Sequence, residues 1–191
     1  EQSGHIAGVG FDLYLRMIGE AVSAFRGDVA EGQTELRLEL PVDAHIPEEY
    51  VESERLRLEA YQKLSTASAP TSTDSQIDEV RDELADRYGE PPVQVINLIA
   101  VSRLRRAAVK AGLSEVVAMG SNLRIAPASL ADSVQVRLQR MYPGSKYFAT
   151  ANALTVPMPR VNGEALADSD LIDWVATLLA AIFPVPVAVA E

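Results

Sequence analysis

Residues 74–112 read DSQIDEVRDELADRYGEPPVQVINLIAVSRLRRAAVKAG, and their spacing decides the fold class. Ile77, Val80, Leu84 and Tyr88 recur at steps of three and four, which predicts a helix with one apolar stripe. Asp74 or Ser75 is placed to cap its first turn, where free N–H groups need an acceptor. Gly89 suits the left-handed residue that closes a helix, and Pro91 and Pro92 forbid simple continuation and pre-set a turn. A second helix is expected over 93–111, with Ile96, Ala100, Leu104 and Ala108 at steps of four and Gly112 as its stop.

Working upstream, Pro47 opens another helical stretch over 48–65, in which Leu56, Ala60 and Leu64 are four apart with Tyr61 beside them. Residues 66–74 are Ser, Thr, Ala and Pro with an acid, a composition that disfavours helix and predicts an exposed loop. Three helices with short joints make one helical layer. Before it, Leu36, Leu38 and Leu40 alternate with Arg37 and Glu39, the signature of a half-buried strand ended by Pro41. Those leucines need a neighbouring strand or helix, supplied by another lobe or by a swapped copy of the chain. Helical spacing also marks 11–22, and the glycine- and charge-rich 27–32 reads as a loop.

Downstream the period shifts. Residues 116–119 and 123–125 flank Gly120-Ser121-Asn122 and predict a hairpin. Ser129 with Asp132 three places on is close to a capping box, opening a helix whose apolar side is Leu130, Val134, Leu138 and Met141. Pro143-Gly144 marks a turn, and 147–149 with 153–156 around Asn152 a second hairpin. A closing helix spans 168–182 with Leu171, Val175, Leu178 and Ile182 on one face and Trp174 on its flank. The expected fold is α+β: a three-helix layer followed by a small antiparallel or mixed sheet with two covering helices.

Composition removes several functions. The 191 residues contain no cysteine and two histidines, His5 and His45, each isolated, so thiolate chemistry and a cysteine–zinc centre are excluded and a histidine triad has little to draw on. The net charge of −10 argues against sequence-blind DNA binding, which needs clustered Lys and Arg. No run reaches the roughly 18 apolar residues a membrane helix requires. The chain starts without methionine, which suits a piece of a longer or processed protein. Gly4, Gly8 and Gly10 lack the lysine of a phosphate-binding loop. Carboxylates are abundant, and many (Glu48, Glu49, Asp168 and Asp170 among them) fall in first helical turns and read as solvated surface. Paired acids of a small hydrolase are the catalytic alternative, and they require a closed cleft. Arg103, Arg106 and Lys110 form one basic helical face, suited to a nucleic-acid contact, to an acidic partner domain, which the chain's overall sign favours, or to solvent alone.

Two stretches carry a family likeness. Glu1 to Ile6 with Val9-Gly10-Phe11-Asp12-Leu13-Tyr14 resembles the tail of the second helicase lobe in bacterial transcription-repair coupling factors, and more distantly RecG-type translocases. Ile46-Pro47-Glu48-Glu49-Tyr50, then Arg55 to Leu58, Tyr61, Glu83 to Gly89 and Pro92, resembles the C-terminal domain of the same family. The resemblance implies that residues 1–44 are helicase-lobe tail and linker and 45–191 a C-terminal regulatory domain. Gln2, Ser3 and Gly4 match the end of a translocation motif whose upstream arginine-bearing hairpin is missing. It implies a cytoplasmic protein whose parent is an ATP-dependent translocase on double-stranded DNA, engaging RNA polymerase and UvrA. For this segment it implies no catalysis and no cofactor. Its role would be to pack on the parent's N-terminal UvrB-like module and mask the UvrA-binding surface. The candidate contact residues are Glu83, Asp86, Arg87, Arg103, Arg106 and Lys110. The alternative is an interaction module acting in trans on a repair factor or on polymerase.

Overall fold

The computed structural model describes residues 36–184. The expected helix at 11–22, the loop at 27–32, and His5, Gln2, Ser3 and Gly4 lie outside them.

The chain runs β1 (Arg37–Glu39), α1 (Glu54–Ala67), α2 (Asp74–Tyr88), α3 (Val93–Lys110), β2 (Glu115–Met119), β3 (Asn122–Ala126), α4 (Asp132–Met141), β4 (Lys146–Phe148), a short 3-10 turn, β5 (Ala153–Pro157), β6 (Arg160–Val161), β7 (Glu164–Ala165) and α5 (Asp168–Ile182). Five strands form one mixed sheet in the order β1-β2-β3-β5-β4. β1 is parallel to β2, with Leu38 opposite Val116; the other pairs are antiparallel. The fold is therefore α+β, as expected, and the neighbour that Leu36, Leu38 and Leu40 require is the chain's own β2. Arg105 on α3 reaches the Leu36 carbonyl at 3.3 Å and ties β1 to the helices as well.

One sheet face carries Leu36, Leu38, Leu40, Val116, Leu123, Ile125, Leu154 and Val156 into a single buried cluster with residues of all five helices. α3 runs along α5 at its centre. The opposite face carries charge around the buried Val117 and Ala153: Arg37 pairs with Glu39 at 2.7 Å and Arg124 with Glu115 at 3.2 Å. Alternation along the strands produces this two-sidedness, because successive side chains point to opposite faces.

Several expectations change in detail. α1 begins at Glu54, not 48, because Tyr50 and Val51 both donate to the Pro47 carbonyl in a separate turn and Ser53 takes the cap, accepting from Leu56 N. It continues to Ala67, and Ser68 is buried with its hydroxyl donating to Leu64 O at 2.7 Å, so the exposed loop is shorter than expected. α2 is capped by Thr73, whose N–H donates to the Gln76 side chain at 2.9 Å, instead of by Asp74 or Ser75. Ile96 is 53% exposed, whereas Val95, Leu98, Ile99 and Val101 are buried. α3 is enclosed on most sides, so a step-of-four stripe was too narrow a template for it. Ser129 does not cap α4, which starts at Asp132 after Ala131, because 128–130 is bonded elsewhere, with Ala128 N donating to Asn152 O and Leu130 N to the Tyr147 hydroxyl. On that helix Leu138 is buried but Met141 is 50% exposed. Asn152 does turn the second hairpin, at φ 45°. The β6–β7 hairpin, through Asn162 and Gly163, was not anticipated.

Candidate interaction surface

The six residues singled out on the helical layer fall into two places. α2 and α3 are joined by the two-proline turn and lie side by side, so basic residues on α3 meet acids on α2. Arg103 is hydrogen-bonded to Asp78, whose carboxylate also receives Arg81 at 3.2 Å. Arg106 donates to Ser72 O and to Asp74, each at 2.7 Å, and its side chain is 13% exposed. These arginines bind one helix to the next. Lys110, in the last turn of α3, is exposed. It is 17 residues from the start of that helix, roughly 25 Å from the tip where α2 ends, so it does not share a patch with Glu83, Asp86 and Arg87.

Those three occupy the last turns of α2. The Glu83 carboxylate takes both Nζ contacts of Lys63, at 2.7 and 2.8 Å, and Arg87 at 3.1 Å. Lys63 in turn lies 3.7 Å from Glu59. Hydrogen bonding from Lys63 holds the Glu83 carboxyl below its ordinary range, and the same bond raises the Lys63 ammonium. The Arg87 guanidinium stands over the Tyr88 ring at 5.3 Å. Asp86 points to solvent beside them. The tip is fixed from below by Tyr50, whose hydroxyl lies 3.0 Å from Leu84 O and 2.9 Å from Gly89 O, its ring packed edge-on to Tyr88. Burial raises the Tyr50 phenol, which keeps it a neutral donor to those carbonyls. Gly89 accepts the closing turn at φ 87°, a conformation costly for any residue with a Cβ. The surface is thus a rigid, mixed-charge helix end. The cleft beneath it, between α1 and α2, has about 10 Å³ of space, room for one water at most.

Lys63 and Tyr50 were not among the candidates. The i,i+4 spacing of Glu59 and Lys63 was a signal for the first; the carbonyls that Tyr50 meets are distant in sequence and gave none. His45 is bonded to Asp43 at 2.7 Å, and Trp174 packs edge-on against Tyr142 at 5.9 Å, so both serve local packing. Among the described residues no group of three His, Asp or Glu is arranged to hold a metal, and no helix is long and apolar enough to cross a membrane.

Known proteins fit this geometry. The model of the TRCF domain matches residues 40–136. The transcription-repair-coupling factors of Mycobacterium bovis and Mycobacterium tuberculosis are 45% identical to the chain over 197 residues, covering 95% of it. That of Staphylococcus epidermidis is 35% identical over 127 residues, 65% of the chain. The chain spans 16% of the length of the two mycobacterial proteins. A crystal structure described as the C-terminal domain of transcription-repair coupling factor superposes with a TM-score of 0.64, covering 79% of this chain and 93% of that one at 16% identity, a likeness of fold. With its helical layer and the β2–β3 hairpin inside the matched residues, the chain belongs to the transcription-repair coupling factor family.

Proposed function

We propose that this chain is a noncatalytic regulatory domain from the C-terminal end of a transcription-coupled repair translocase. Residues 45–191 form the regulatory unit and 1–44 the tail of the preceding helicase lobe, with β1 as the strand through which the two join. The domain packs on the UvrB-like module in the N-terminal part of the same protein and covers the surface that receives UvrA until RNA polymerase is engaged. ATP hydrolysis and contact with double-stranded DNA belong to the missing lobes.

The observation that carries this reading is the α2 tip. Glu83, Asp86 and Arg87 present both charge signs on a helix end held by Lys63 and Tyr50. An autoinhibitory contact has to form in one register and still open. Exposed, salt-sensitive complementarity supplies orientation without the strength of an apolar seam. Partner and release therefore follow from charge at a preorganised site.

The test uses a full-length parent protein. Asp86→Lys with Arg87→Glu should raise UvrA binding at physiological salt and shrink the gain at high salt, where the wild-type contact is already weakened. Unchanged UvrA binding after removal of residues 36–191 would reject the masking role outright. Saturable binding of the isolated domain to polymerase or a repair factor, with none to the N-terminal module, would replace it by action in trans.

A further inference from the structure

A second surface, independent of the α2 tip, lies at the other end of the sheet. β4 is its last strand, and no strand lies beyond it among the described residues. Gln139 on α4 donates to Ser145 O at 2.7 Å, and Leu130 N donates to the Tyr147 hydroxyl at 3.2 Å, so β4 runs back along α4 towards that helix's start. α4 overhangs the sheet edge. Between them is an open groove of about 620 Å³, lined by Asp132, Gln135, Val136, Gln139, Arg140 and Tyr147. Val136 is 65% exposed. Asp132, Arg140 and Lys146 are exposed and have no ion-pair partner among the described residues.

The spacing of the lining defines an occupant. Asp132, Val136 and Arg140 are four apart and share one face of α4, which separates them by about 6 Å along the helix axis. Alternate side chains of an extended chain are about 6.6 Å apart, so three of each stay in register to within about 1 Å over the groove. We infer that the groove seats a sixth strand donated by a partner polypeptide. The segment carries a basic residue, an aliphatic residue two places on and an acidic residue two places further, and lies antiparallel to β4. The base meets Asp132, the aliphatic side chain covers Val136, and the acid meets Arg140. Main-chain bonding to the free edge supplies affinity and the alternate side chains supply selectivity.

Other occupants fit less well. Residues 185–191, Val-Pro-Val-Ala-Val-Ala-Glu, contain no base for Asp132. α5 meets α4 through Arg137 and Ala181 O, and Arg137 projects from the side of α4 turned away from the groove. A second copy pairing β4 to β4 would bring its own α4 into the same space.

The test is titration of the full 191-residue chain, isotope-labelled, with the capped peptide Ser-Ser-Lys-Thr-Val-Thr-Glu-Ser-Ser, followed by amide chemical shifts. Saturable shifts at Val136, Tyr147 and Phe148 are expected, and N-methylation of the central valine should abolish them. Exchanging Lys and Glu in the peptide should weaken binding roughly five- to tenfold, the scale of two exposed ion pairs. Asp132→Lys with Arg140→Glu should reverse that preference, with unchanged circular dichroism as the control for folding. No saturation at millimolar peptide, or equal affinity for both peptides, overturns the proposal. So does binding that appears only after residues 185–191 are deleted, or only on dissociation of a dimer; these assign the groove to the chain itself or to a second copy.

Discussion

The helical layer and the α4–β4 edge are built from similar side chains and handle charge in opposite ways. In the layer Lys63, Arg81, Arg87, Arg103 and Arg106 each hold an acid, three of them reaching across to another helix. At the edge Asp132, Arg140 and Lys146 hold none among the described residues. Geometry makes the difference. Three helices with short joints bring their flanks within side-chain reach, whereas α4 has a covered side and an overhanging one. Charge that is spent on packing orients the α2 tip; charge left over marks where something else binds.

The largest expected effect would break the comparison altogether. Leu64 in the layer and Leu123 in the sheet are both fully buried in one cluster. Truncating either to Ala should cost about 2–5 kcal/mol and preserve one cooperative urea transition. Two resolved transitions in either variant would show that the regions fold as separate units.

A smaller effect sharpens the contrast in charge. Arg106→Ala, which strands the Ser72 carbonyl and Asp74, should lower unfolding free energy by about 1–2 kcal/mol. Arg140→Ala should change it by less than about 0.5 kcal/mol. Equal losses in chemical denaturation would erase the distinction.

The smallest effect is pH-dependent. Glu83 titrates below its unfolded value, so its contribution is complete above about pH 4.3 and is lost as pH falls through the folded value. Lys63 titrates above its unfolded value, so its contribution is complete below about pH 10.4 and is lost as pH rises through the folded value. Both side chains are well exposed, and solvent screening keeps the share of each below about 0.5 kcal/mol. Glu83→Gln should therefore be slightly less stable than the parent at pH 7 and indistinguishable from it near pH 3. A gap in denaturation midpoint that persists at pH 3 would mean that the substitution acts through packing.

How much of this was written in the sequence depends on how local each feature is. α2, α3, α5 and both main hairpins follow from periodicity and from turn residues such as Gly89, Gly120 and Asn152. The β6–β7 hairpin had its signal, Asn162-Gly163, but strands of two residues leave no alternation to notice. The parallel pairing of β1 with β2 spans more than seventy residues, and no local pattern specifies such a partner. Of the interaction residues, Glu83, Asp86 and Arg87 emerge together, yet Arg103 and Arg106 looked available until α2 was seen to occupy them. The groove at β4 was invisible because an edge is a property of the finished sheet.

β1 has a mechanical consequence. It is three residues long, forms one ladder with β2, and is further held by its buried leucines and by the contact from Arg105 to the Leu36 carbonyl. Tension entering from residue 35 would load that short ladder before it reached the helices. The strand would peel first, leaving β2 as a new bare margin and Leu38 in water. The entry point is a fuse: a pull from upstream would be registered as lost sheet, with three leucines stripped from the core, before the helices gave way.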